Sequence, residues 1–422
     1  MANGSEPRRG TLASRLGPFR HPAYAIYWTS GVVSNLGTWL QAVAGSIFIY
    51  QLTGSSLAVG VFNFAGFIPI LLFSVWGGQL SDRFDRRLVV VASHVASGLI
   101  AAVLAVLTIA GLAGAVHVVV VVFLLNVLWA LGKPSLVSLV PNIVPQEDLQ
   151  DAVGLNALQF IAGQIIGPLL AALVMATAGA GLAFTINAIS YLGPLVAMAY
   201  LFRHGLGGPE AARKRRSDGL GISAASFLRA NVWVPALLVG VTATAAVTEV
   251  QRTLAPGLVH EVLHLPESTA GVIVAAQSVG SAISLLMFMS LRRRGWARRA
   301  ASGGLILQGV GIVVTAAAPN IAVAALGVGV IGFGFSLCFP VLTALLQDGL
   351  QDEVRGRVMA FHQIAHLGNR PFAALFVGAI ATTFGLQIGV LAGIILVPVG
   401  LLALRAAWAR LPAAEVGAPT GS

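Results

Sequence analysis

Residues 77–87 read Gly77-Gly78-Gln79-Leu80-Ser81-Asp82-Arg83-Phe84-Asp85-Arg86-Arg87. Five charges fall within the six positions from Asp82 to Arg87, between apolar runs of roughly 56–80 and 88–112. Each run exceeds the ~20 residues that a helix needs to cross a bilayer. So polar a loop between such apolar walls marks a turn at a membrane surface, and the alternation recurs along the chain. Hydrophobic residues make up 57% of the 422 positions and charged residues 9%; the mean hydropathy is +0.87. A soluble domain carries roughly 25% charged residues, so this chain cannot cover itself with a water-facing surface. Its apolar runs are approximately 24–52, 56–80, 88–112, 116–139, 152–177, 180–202, 232–255, 269–291, 300–317, 320–346, 358–383 and 385–408. They predict an all-α polytopic membrane protein of twelve transmembrane helices.

The charges orient these runs. The breaks after the second, sixth, eighth and tenth runs hold Arg83, Arg86 and Arg87; then Arg203, Arg213 to Arg216 and Arg229; then Arg292, Arg293, Arg294, Arg298 and Arg299; then Arg355 and Arg357. The break after the fourth adds only Lys133, at the end of its run. The breaks after the first, third, fifth, ninth and eleventh hold no charge, and the seventh sets Arg252 against Glu249, Glu261 and Glu267. Cytoplasmic loops retain basic residues, so even-numbered breaks and both termini are expected in the cytoplasm, with the chain in the inner membrane. The net charge of +10 then serves topology and contact with the lipid bilayer's anionic headgroups, not nucleic acid. A polar tail (1–23) leads into a first run too long for a signal-peptide core, read as a retained span. The basic, glycine-rich stretch 203–231 reads as a linker between six-helix bundles at 24–202 and 232–408, with a tail at 409–422. The single cysteine, Cys338, allows no intrachain disulfide.

The halves echo each other. Pro134 with the acidic loop at Glu147, and Pro340 with that at Glu353, occupy matching places, and "GPLLAALV" aligns with "RPFAALFV". A 6 + 6 chain of this kind suits parallel repeats about an axis normal to the membrane, a transporter architecture.

The 77–87 loop resembles the signature loop of the major facilitator superfamily, with Gly78, Asp82, Arg83, Arg86 and Arg87 on its positions and Asp85 where that family has a glycine. The resemblance implies a latch that holds the cytoplasmic side closed, with Asp82 facing the start of the eleventh span. The counterpart at Ser290–Arg299 lacks the acid, which makes the latch one-sided. In the fifth run, Gly154, Gly163, Gly167-Pro168 and Ala171-Ala172 are similar to the antiporter motif of drug-exporting members, with Ala-Ala for Gly-Gly. Small residues permit close helix packing in lipid, and Pro168 removes a helical hydrogen bond. More widely, "RHPAYAIYW", "YQLTGSS" and "PSLVSLVPNIVPQEDLQDAVGLN" look like the enterobactin-exporter branch. That likeness implies two pseudo-symmetric bundles, alternating access, a monomer, and proton-driven export of a siderophore-like or drug-like small molecule, with no cofactor, metal or enzymatic activity. The fourth run offers Asn126 and Trp129 where many proton-coupled exporters carry an arginine.

Ionisable residues inside spans are site candidates by default. His362, His366 and Arg370 recur at i, i+4 and i+8, one face of a helix, and Arg370 lies about 18 Å into its run. Glu249 is the acid inside a span, with Arg252 three residues on. Three roles are open to Glu249: an interfacial pair with Arg252, a proton-binding carboxylate coupled to Arg370 or His366, or a direct contact to substrate. Asn35, Trp39, Gln41, Asn156, Gln159 and Gln277 are further candidates for the cavity wall.

A reading from another class rests on His260-Glu261-Val262-Leu263-His264, the H-E-x-x-H string of zinc proteases. It sits in the short break between the seventh and eighth runs, after Gly257 and before Pro266, with barely a turn of helix and only Glu267 as third ligand. No P-loop string is present. An importer or facilitator of the same fold is the other alternative to export.

Overall fold

The computed structural model describes residues 16–208, 231–290, 296–348, 350 and 352–410. Twelve helices are long and apolar enough to span a membrane. They are α1 (Pro22–Thr53), α2 (Ser56–Arg83), α3 (Arg86–Ile109), α4 (Ala115–Asn142), α5 (Leu149–Thr177) and α6 (Gly179–Arg203), then α7 (Trp233–Val262), α8 (Glu267–Met287), α9 (Ala297–Ala316), α10 (Ile321–Asp348), α11 (Val358–Phe384) and α12 (Leu386–Trp408). Among the described residues there is no strand. Most of the 203–231 stretch, and the greater part of both tails, lie outside the described residues.

Local chemistry sets the ends. Pro22 opens α1, where its missing N–H costs nothing, and Gly54 closes it at φ +60, a left-handed C-terminal stop. Ser55 then caps α2 by accepting from the Ala58 N–H at 3.3 Å. Asp85, in the place of the family's glycine, caps α3: it accepts from the Arg87 N–H at 2.9 Å and from the Arg87 guanidinium at 2.7 Å. Its φ of −58 needs no glycine. The hydrogen bonds from Arg87 hold the Asp85 carboxyl below the usual carboxylate range. Pro134 and Pro340 sit inside α4 and α10.

One boundary differs from the expectation. The seventh run, predicted to end near 255, continues as α7 through Pro256 and Gly257 and finishes in a π turn over Leu258–Val262. Proline and glycine are tolerated in membrane helices whose neighbours cover the disturbed backbone, and both are buried here. The extension places Glu249 13 residues, about 20 Å, from that end of the span.

The helices form two six-helix bundles, α1–α6 and α7–α12, and their apolar cores show how the bundles meet. One core is common to both. It joins Ile47, Tyr50, Val59 and Phe184 of the first bundle to Leu254, Val259, Val377 and Val390 of the second. It occupies the end of the molecule that carries the α1–α2 and α7–α8 loops. At the opposite end, which carries the α2–α3 loop, there are two separate cores. Tyr24, Val90, Leu139 and Met198 belong to one; Leu237, Leu305, Leu346 and Leu404 belong to the other. The bundles are thus fused at one end and parted at the other.

Polar links between bundles follow the same division. The Leu57 N–H donates to Thr382 Oγ1 at 3.0 Å, and Asn63 Nδ2 donates to Thr253 Oγ1 at 3.1 Å. The Tyr50 hydroxyl donates to the Glu261 carboxylate. Gly271 of α8 lies against the Pro168 carbonyl and Ala172 of α5, and Gly60 of α2 lies against the Ala374 carbonyl of α11. A single methyl at either glycine would push backbone from backbone.

Candidate functional site

Midway along the fused zone stands a group of charges from α7 and α11. Glu249 is 1% exposed, and its Oε1 has no hydrogen-bond partner. Among the described residues no guanidinium comes within ion-pair distance, although Arg252 and Arg370 both act on it electrostatically. The interfacial Glu249–Arg252 pair, one of the three roles open to Glu249, is therefore not formed. Arg252 instead lies over the Trp39 ring of α1, 4.8 Å from its centroid, and Arg370 lies over Phe67 of α2 at 5.5 Å. Each is a cation of the second bundle seated on an aromatic face of the first, an arrangement worth more as water is excluded.

The i, i+4, i+8 residues of α11 stay neighbours across an irregular stretch of the helix. A π turn spans Ile364–Gly368, and the extra residue per turn rotates the remainder of the helix. His362 is buried against α10, its Nε2 3.0 Å from Thr343 Oγ1, with Nδ1 unpartnered. His366 lies against Phe339, ring centroids 4.3 Å apart. Arg370 Nη2 reaches His366 Nε2 at 3.3 Å; the guanidinium can only donate, so this nitrogen accepts. The three residues thus form one chain of contacts, with His362 and His366 both against Phe339 and His366 bonded to Arg370.

The first bundle holds a cavity of about 360 Å³ between α1, α3, α4, α5 and α6. Asn35, Asn156 and Gln159 line it. They also tie α1 to α5: Asn35 Nδ2 donates to the Gln159 carbonyl at 2.9 Å, Gln159 Nε2 donates to the Trp28 carbonyl at 2.9 Å, and Asn156 Oδ1 accepts from the Tyr24 hydroxyl at 3.3 Å. Trp39, Gln41 and Gln277 do not line it. Trp39 is the platform for Arg252, with Phe160 against its edge. Gln41 is buried and accepts a hydrogen bond from Asn187 of α6. Gln277 is half-buried where the α8 backbone meets Gly332 of α10.

The cavity also contains two ionisable residues that the sequence does not single out, Lys133 and His94. Lys133 falls six residues before the end of the 116–139 run, and α4 continues to Asn142, nine residues beyond it, about 14 Å. A lysine between Trp129 and Pro134, with apolar sequence resuming at once, is the available signal.

At the end of α2, beside the α2–α3 loop, Asp82 and Arg83 are exposed and make no hydrogen bond or ion pair among the described residues. Arg86 donates to the Ser138 carbonyl at 3.1 Å, and Arg87 donates to the Leu206 carbonyl at 3.0 Å while lying over Phe202. These bonds stay within the first bundle. The close contact expected of Gly78 is made by Gly77, which faces the Ala130 carbonyl and Leu131 of α4, whereas Gly78 faces open space. On α5, Gly163 and Gly167 sit against Asn35, Trp39 and the Leu40 backbone of α1, but Gly154 packs on nothing. Spacing places these glycines on helix faces; which of them meets a neighbour is decided by packing within the first bundle.

Residues 13–419 match the transmembrane secretion effector family. The chain belongs to that family. Fold and sequence place it in the major facilitator superfamily, and it is a transporter rather than an enzyme. It is 25% identical to the multidrug efflux pump Tap of Mycobacterium tuberculosis over 419 residues, 96% of this chain and 98% of that one. It is 24% identical to the staphyloferrin A transporter of Staphylococcus aureus over 166 residues, 39% of this chain, and spans 42% of that relative's length. Its fold is similar to that of a bacterial homologue of the lysosomal transporter Spinster in an inward-facing, unoccupied conformation. The TM-score is 0.75 at 12% identity, covering 98% of this chain and all of that one. A bacterial ferroportin homologue in an inward-facing state gives 0.73 at 15% identity, over 95% of this chain and 100% of that one.

The H-E-x-x-H string does not form a protease site. His260 and Glu261 lie on the π turn that ends α7, not in a free loop, and His264 has a left-handed φ of +52. The two histidines therefore do not share a helix face. His260 Nδ1 lies 2.9 Å from Glu267, and Glu261 takes the Tyr50 hydroxyl. Among the described residues no three His, Cys, Asp or Glu side chains are placed to hold a metal ion. The string works as part of the seam between bundles.

Proposed function

We propose that the protein exports a small amphipathic molecule, siderophore-like or drug-like, from the cytoplasm by alternating access, using proton entry as the energy source. The observation that carries this reading is the common apolar core at one end and the two separate cores at the other. With basic loops cytoplasmic, the parted end faces inward, both termini are cytoplasmic, and the molecule is captured in its cargo-loading state in the inner membrane. The bundles at 24–202 and 232–408 rock about the 203–231 linker as a monomer. Asp82 and Arg83 engage the second bundle only when the parted end closes; their exposure and the open space at Gly78 fit that role. The Gly163–Pro168 segment of α5 touches both α1 and α8, so it transmits the motion.

Glu249 is the proposed proton carrier. It is buried, lacks a bonded partner, and lies within the field of two arginines that also bridge the bundles. Protonation removes the charge that Arg252 and Arg370 face and frees them to move with their aromatic platforms. The export direction draws support from the efflux relatives. The decisive experiment uses proteoliposomes with an imposed pH gradient and a panel of siderophores, dyes and antibiotics. Substrate movement against its gradient, coupled to proton flux in the opposite sense, is expected. Co-directional movement of proton and substrate would replace export with import, and gradient-independent equilibration would leave a facilitator.

A further inference from the structure

The cavity of the first bundle has a chemistry of its own. Its walls are largely apolar, with Leu125, Leu128, Trp129 and Phe160 among them, and no Asp or Glu is among the described residues that line it. Into this wall α4 brings Lys133. Among the described residues no carboxylate lies within ion-pair distance, and its ammonium stands over the Trp129 ring, 5.7 Å from the centroid. A charge placed about 14 Å inside a span without a counter-charge is costly, and a lone buried ion is stabilised when a ligand supplies its partner. The choice of cation is informative as well. The chain has two lysines, Lys133 and Lys214, among 25 basic residues. Arginine's planar fork binds carboxylate or phosphate through two parallel hydrogen bonds, whereas lysine's ammonium is a compact single point charge. His94 stands in the same wall with Nδ1 2.8 Å from the Val90 carbonyl. A carbonyl only accepts, so Nδ1 carries the proton and Nε2 is the nitrogen left to a ligand.

We infer that this cavity is a binding site for a monoanionic amphiphile, with its carboxylate on Lys133 and its apolar body among Trp129, Phe160 and the leucines of α4. One negative charge matches one ammonium; a dianion would leave a charge uncompensated within an apolar wall. Asn35, Asn156 and Gln159, already committed to the α1–α5 seam, position the walls and leave the charge recognition to Lys133. The physiological meaning of the site, cargo recognition, rests on the transport reading above, but its existence does not.

Binding tests the site without any gradient. Anthracene-9-carboxylate and anthracene-9-carboxamide, nearly isosteric and differing in charge, are titrated against purified full-length protein in an uncharged detergent, read by quenching of tryptophan emission. The carboxylate is expected to bind at least about tenfold more tightly, a difference of ~1.4 kcal/mol. Lys133→Gln should bind both probes like the wild-type protein binds the carboxamide, and Lys133→Arg should retain the preference. Unchanged carboxamide affinity reports that the Gln variant is folded. Displacement of the bound carboxylate by octanoate against octanamide, on the wild-type protein, examines the same preference with no variant at all. Equal affinity of the wild-type protein for both anthracenes, or a preference that survives Lys133→Gln, would overturn the site. Carboxylate-selective binding that depends on Lys133 in a protein that moves nothing under a pH gradient would uphold the site and remove the transport reading instead.

Discussion

The two bundles place their buried charge in opposite ways. In the first, a cation stands in an open cavity without an acid; in the second, an acid is sealed in protein with cations around it but none bonded to it. Lys133 has room beside it and no partner, whereas Glu249 has electrostatic partners and no room. An ion with space at its side suits a ligand that comes and goes. An ion without space suits the smallest ligand, a proton, which needs a path rather than a volume. On the proposed reading, cargo recognition and energy coupling are divided between bundles, and Arg252 on Trp39 and Arg370 on Phe67 are the mechanical joints between them.

This comparison can be broken at several points. Glu249→Gln should reduce transport driven by a pH gradient to background while leaving anthracene-9-carboxylate binding intact. Loss of both would mean that the two charges form one site. Next in size, Gly167→Leu forces a side chain into the α1 backbone. Overpacking of this kind costs about 1–3 kcal/mol and should lower the melting temperature, whereas Gly154→Leu, facing open space, should stay within ~0.5 kcal/mol. Tyr50→Phe deletes the hydroxyl that joins α1 to Glu261 at the fused end. A loss of about 1 kcal/mol corresponds to a roughly fivefold shift towards opening of that end, measurable from paired spin labels near Gly54 and His264. The smallest effect concerns Asp85. Asp85→Ala removes a helix cap worth ~1 kcal/mol. Because the Arg87 hydrogen bonds lower the folded-state pKa, this contribution is complete above the ordinary carboxylate value of about 4 and lost as pH falls through the lowered one. The wild-type and Ala proteins should differ equally in stability at pH 8 and pH 6, and converge only in strong acid.

The membrane architecture is legible in the sequence because burial in lipid imposes a length and a composition on each element, and twelve runs meet both. The end of α7 is not legible. Pro256, Gly257 and the polar His260-Glu261 pair look like a break, and only the packing of neighbouring helices lets the backbone continue through them. The same misreading hides the depth of Glu249. Lys133 is visible but counts with the loop charges, because it stands in the last turns of the 116–139 run and proline follows it. Its cavity is made by five helices distant in sequence, and no local pattern announces such a space. The α11 row shows a further limit: i, i+4, i+8 spacing brings His362, His366 and Arg370 together but does not announce the π turn over Ile364–Gly368.

Gly77 and Gly78 adjoin in sequence, yet one is pinned to α4 and the other borders a gap. Under alternating access that gap exists for part of each cycle, so the two residues answer to different selection. A library sorted for thermal stability in this conformation would reject large residues at Gly77 and accept them at Gly78. Sorted for turnover, it would reject both. Positions accepted by the first sort and refused by the second would trace the surface that exists only in the other half of the cycle.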